Sequence, residues 1–227
     1  MANLLTVARV LLIFAIVAVW ARRGEMTWWW VDLLMVPLLA WAIFMDALDG
    51  WAARRWKEES ESGALFDIAG DRIVELTLWT FFAIRRDPAG QPFVALWVPL
   101  AMIARTVTTD FIRTLAFRHG RTPFGARGMQ DSAWARELTA SRWSRAVYGG
   151  LKAVSFCGLA LLLAWPSLAT LAGWGGLLRI VVDALVLVTV MFSLLRAVPV
   201  LWDGRRYVAG LRGERASEVK RVDVKQG

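Results

Sequence analysis

The chain has 227 residues, 57% of them hydrophobic, with 14 tryptophans and a formal net charge of +8. That apolar share excludes an ordinary soluble domain and points to a membrane protein. One cysteine and one histidine exclude an internal disulfide and a zinc-type ligand set.

Six apolar runs follow in chain order, at about 5–21, 28–47, 65–84, 92–117, 146–165 and 176–202. Each can supply the roughly 20 helical residues needed to cross about 30 Å of hydrocarbon. The first starts almost at Met1 without a basic leader or a small-residue cleavage site, so it reads as a retained helix. The expected fold is therefore an all-α integral membrane protein with six transmembrane helices. Residues 1–204 form one membrane domain, and 205–227 a basic tail that is solvated or lies on the lipid surface.

The loops set an orientation. Segments 48–64 and 118–145 and the tail after 202 carry sixteen Lys and Arg, against five (Arg22, Arg23, Arg85, Arg86 and Arg179) on the other side. That bias places both termini in the cytoplasm. The high isoelectric point then reflects topology and anionic lipid, with no nucleic acid implied.

Charges near the spans carry the chemistry. Asp46 and Asp49 close the second run and Asp67 and Asp71 open the third, so each pair shares one face of a helix. A hairpin of those helices would gather four carboxylates at one depth, where like charges cannot all stay ionised unaided. Divalent cations remove the conflict, and oxygen-only ligands favour Mg²⁺, Mn²⁺ or Ca²⁺. Gly50, Ala53 and Gly63 allow close approach of a ligand, and Arg54 offers a cation to a phosphate.

These residues meet a full signature, D-x2-D-G-x2-A-R-x8-G-x3-D-x3-D, eight fixed positions over 26 residues. The chain thereby resembles the CDP-alcohol phosphotransferases, and NLLTVAR, through Asn3, Leu5, Thr6 and Arg9, is similar to an opening common in bacterial members. The resemblance implies transfer of a phosphatidyl group from CDP-diacylglycerol to an alcohol, with release of CMP. It implies that Asp46, Asp49, Asp67 and Asp71 hold two divalent cations, Mg²⁺ or Mn²⁺, with Asp71 also the general base. Gly50, Ala53, Arg54 and Gly63 would accommodate the cytidine diphosphate. The site would face the cytoplasm at the inner membrane.

The acceptor is read from other cations. Arg113, Lys152 and Arg196 lie within about two turns of the inner ends of their spans, and Arg142 and Arg145 precede the fifth. Buried charges usually face a polar cavity, so the five are expected to bind the phosphate of a small phosphorylated alcohol. MIARTVTTDFIR resembles a stretch of phosphatidylglycerophosphate synthases, which makes glycerol 3-phosphate the first choice. Inositol phosphate and a non-phosphorylated alcohol stay open, as does a homodimer. Deeper in the membrane, Glu75 is expected to pair with Arg105. A divalent-cation transporter is the competing class, but no second acidic site lies in a matching half.

Overall fold

A computed structural model describes residues 2–22, 29–56, 61–87, 89–118, 133–164 and 175–226. Among them stand seven helices: α1 (Ala2–Ala21), α2 (Trp29–Trp56), α3 (Glu61–Ile84), α4 (Trp97–Arg118), α5 (Ala133–Ala140), α6 (Arg142–Ala164) and α7 (Gly175–Gln226). Each of the six expected spans has its helix, and α5 is an addition. Leu4–Ala21, Trp134–Ala164 and Gly176–Tyr207 are long and apolar enough to cross a bilayer, and α2 adds the shorter apolar stretch Trp30–Met45. The charged residues of α3 and α4 keep those two below that threshold.

The chain folds as two compact units. One comprises Met1–Ala101 and Gly150–Val190, the other Met102–Gly149 and Met191–Gly227.

In the first unit, α1 packs on both α2 and α3. Its buried positions are Thr6, Arg9, Ile13, Ile16 and Trp20, alternating three and four residues apart, while Leu4, Leu11 and Phe14 are exposed. That spacing is a single seam along a helix, with the remaining surface left to lipid. Trp20 stacks on Phe81 at 5.6 Å, and Trp79 of α3 meets Phe156 of α6 at 4.6 Å. Between α6 and α7, a Cβ on Gly158 would stand 2.9 Å from Val182, and Ser155 and Thr189 share a 2.8 Å hydrogen bond nearby. Small residues and hydroxyl pairs of this kind bring membrane helices together where lipid offers no hydrophobic driving force.

The fourth helix starts at Trp97 rather than near 92, because 85–92 closes into a turn. Asp87 Oδ1 accepts the Ala89 and Gln91 N–H groups at 2.9 and 2.8 Å, and Arg86 bridges Pro92. Gly90 takes φ +78°, a left-handed value that favours glycine. From α7, Arg179 grips this turn through Asp87 at 3.3 Å and the Pro92 carbonyl at 3.2 Å.

In the second unit, Ile112, Leu115 and Ala116 of α4 cluster with Val200 and Tyr207 of α7. The last helix thus runs past Trp202, where the last apolar run ends, and on to Gln226. Ser141 caps α6 by accepting the Ser144 N–H at 3.1 Å.

Candidate active site

Asp67 and Asp71 lie one turn apart on α3, and Gly70 between them lets α1 come close. A Cβ at Gly70 would stand 2.5 Å from the Thr6 methyl and 3.5 Å from Arg9 Nη2. Arg9, buried to 1% exposure, thereby reaches both acids: Nη2 is 3.7 Å from Asp67 Oδ1 and Nη1 is 3.9 Å from Asp71 Oδ1. Both distances are in ion-pair range and longer than a hydrogen bond. From α6, Lys152 Nζ stands 3.4 Å from Asp71 Oδ2 and 3.3 Å from Glu75 Oε2. Arg72 completes the line, 3.6 Å from Glu75. Along this path the charges alternate from Asp67 through Arg9, Asp71, Lys152 and Glu75 to Arg72. Alternation offsets the cost of holding so many ions beside apolar helices.

Glu75 is 2% exposed and has Lys152 and Arg72 as neighbours. By contrast, the side chains of Asp67 and Asp71 are 47% and 38% exposed and keep an open face. Asp67 Oδ1 is nonetheless buried with no hydrogen-bond donor. A buried carboxylate oxygen in that state fits a cation ligand better than it fits a structural role.

Asp46, Asp49, Gly50, Ala53 and Arg54 stand on the final turns of α2, but their side chains lie outside the described residues. Gly63 is half-buried in the first turn of α3. Among the described residues, no group of three or more acids, histidines or cysteines could hold a metal ion. The carboxylates of α2 are not among those residues.

Of the five expected acceptor-binding cations, the structure places Lys152 with the aspartates, in the first unit. The other four belong to the second. Arg113 pairs with Asp110 at 3.1 Å. Arg142 and Arg145 are exposed on the opening turns of α6. Arg196 caps the end of α5, donating to the Thr139 carbonyl at 3.1 Å and the Leu138 carbonyl at 3.4 Å, with its guanidinium 5.0 Å above Tyr148. Arg105 lies 5.8 Å from the same ring. It is only 9% exposed, and its Nε and Nη1 have no hydrogen-bond acceptor. The sequence reading passed over it as a structural ion.

The family model of the CDP-alcohol phosphatidyltransferases matches residues 1–195. The chain belongs to this family. No curated protein matches it. Members transfer a phosphatidyl group from a CDP-alcohol, the work of phospholipid biosynthesis, and the family generally uses divalent cations. The all-helical fold with its long apolar helices is that of an integral membrane member.

Proposed function

We propose that this protein transfers the phosphatidyl group of CDP-diacylglycerol to the hydroxyl of a small phosphorylated alcohol, glycerol 3-phosphate in the first place, and releases CMP. The observation that carries the reading is the pair Asp67 and Asp71, open on one face and backed by Arg9 and Lys152 on the other. Asp46, Asp49, Asp67 and Asp71 are the residues that would hold two divalent cations, Mg²⁺ or Mn²⁺. Bound there, the cations would neutralise charge on the phosphate oxygens and the departing CMP.

The remaining work falls to the chain. Gly50, Ala53, Arg54 and Gly63 accommodate the cytidine diphosphate. Asp71 accepts the proton of the acceptor hydroxyl as its oxygen bonds to the diacylglycerol phosphorus and the bond from that phosphorus to CMP breaks. Arg9 and Lys152, fixed on other helices, flank the Asp71 carboxylate and hold it in place. Placed at the cytoplasmic end of α3, the site leaves acyl chains in lipid and the nucleotide in water.

For the acceptor phosphate, Arg113, Arg142, Arg145, Lys152 and Arg196 are the proposed contacts. Arg105 joins them because its two unaccepted N–H groups have an unfilled need for an anion. A specific observation favours a second acceptor class as well. Arg113, Lys152 and Arg196 already hold protein partners, which a non-phosphorylated alcohol would leave undisturbed.

CMP release from CDP-diacylglycerol, measured with glycerol 3-phosphate, inositol phosphate, free inositol and serine, separates these readings. Chelation should abolish release and Mg²⁺ or Mn²⁺ restore it. Release that persists after chelation would remove the two-cation assignment. Preference for a free alcohol would remove the phosphate pocket and leave the transfer chemistry in place.

A further inference from the structure

At the other end of α3 from the aspartates, a groove of about 850 Å³ runs between α1 and α3. That volume is within the range of small-molecule sites. Val17 and Ala21 form one wall, and Leu76, Thr80, Phe81 and Ile84 the other. From Leu76 to Ile84 the helix rises about 12 Å at 1.5 Å per residue. One leaflet of a hydrocarbon core about 30 Å thick has nearly that depth.

Arg85 and Arg86 stand at the end of the groove, directly after α3. Arg86 donates to the Gly90 carbonyl at 3.1 Å. Arg85 Nε is buried without an acceptor. The nearby acid, Asp87, is already committed to Arg179 at 3.3 Å and to the Ala89 and Gln91 N–H groups. Two guanidiniums thus cap an apolar channel of leaflet depth, and one of them has no carboxylate partner among the described residues. A phosphodiester joined to an acyl chain satisfies both ends at once.

We propose that this groove binds one anionic phospholipid, an acyl chain lying along α3 and its phosphate on Arg85 and Arg86. The site is separate from the transfer chemistry and does not depend on the acceptor reading. The test uses the full chain in detergent, with thermal unfolding and native mass spectrometry after addition of dioleoyl phosphatidylglycerol or dioleoyl phosphatidylcholine. The expected result is one retained phosphatidylglycerol and a rise in Tm of at least about 3 °C, as for a ligand that binds only the folded state. The double variant Arg85→Gln, Arg86→Gln should lose both effects and keep its CMP release. Thr80→Trp, which fills the groove and spares both cations, should also lose the lipid. Equal stabilisation by phosphatidylcholine, or by inorganic phosphate alone, would overturn the proposal. So would a double variant that still holds the lipid, or a Thr80→Trp protein that retains it.

Discussion

Asp71 stands between cations on two other helices, Arg9 at 3.9 Å and Lys152 at 3.4 Å. An asparagine there keeps the size and gives up both the base and the negative charge. Asp71→Asn should lower CMP release by about 10²–10⁴-fold, the usual worth of a positioned general base, with CDP-diacylglycerol binding weakened far less. Turnover near normal, with metal occupancy intact, would take Asp71 out of that role. Lys152 invites a different experiment. Lys152→Met removes one of the cations beside the buried Glu75, and breaking a buried pair costs about 3–5 kcal/mol. Adding Glu75→Gln should recover much of that stability in urea or thermal unfolding. If the double variant then shows a raised KM for the phosphorylated acceptor and an unchanged one for CDP-diacylglycerol, Lys152 contacts the acceptor. Unchanged values for both would confine it to the ion cluster. The aspartates were legible because their spacing is local to single helices. The closeness of Lys152 to Glu75 was not, since nothing in a one-dimensional pattern tells which cation of another helix comes within 3.3 Å of that acid.

Gly70 shows what an element needs that a motif does not state. It is no fixed position of the aspartate signature, yet it sets how near α1 lies to α3. An alanine there would meet the Thr6 methyl at 2.5 Å, and overpacking of that kind costs about 1–3 kcal/mol. Moving α1 outward would also draw Arg9 from Asp67 and Asp71. Gly70→Ala should therefore lose both stability and activity, and Thr6→Ser, which deletes the clashing methyl, should restore part of each in the double variant. Additive losses would mean that the two residues do not share this contact. The end of the last helix teaches a related lesson. A run of arginines after Trp202 reads as a solvated tail, and charge hid a continuing pattern. Ala197, Val200, Gly204 and Tyr207 are buried at steps of three, four and three, so the helical face persists where the hydropathy falls. Likewise α5 is too short and too mixed to register as an apolar run, although Ala135 and Thr139 bury one side of it.

At the scale of the molecule, direction of travel can be read from which ends meet in the first unit. Arg9 lies by Asp67 and Asp71 while Trp20 lies by Phe81, so α1 and α3 run parallel. Lys152 lies by Asp71 and Phe156 by Trp79, so α6 runs parallel to both. Parallel neighbours require the intervening helices to run back, which agrees with a chain that crosses the bilayer at every long helix. The 24 residues of α3 rise about 36 Å, enough to span about 30 Å of hydrocarbon with the aspartates at one face and the turn at 85–92 at the other. The cationic loops then decide which face is which, and we expect the aspartates inside. In a Cys157→Ser background, Ala89→Cys on the turn should react with a membrane-impermeant maleimide in intact cells. Lys225→Cys, in the last turn of α7, should react only after permeabilisation. The reverse pattern would put the carboxylates outside, away from cytoplasmic nucleotide, and would contradict the proposed release of CMP into the cell. Labelling of both sites in intact cells would contradict the three crossings, by α4, α6 and α7, expected between them.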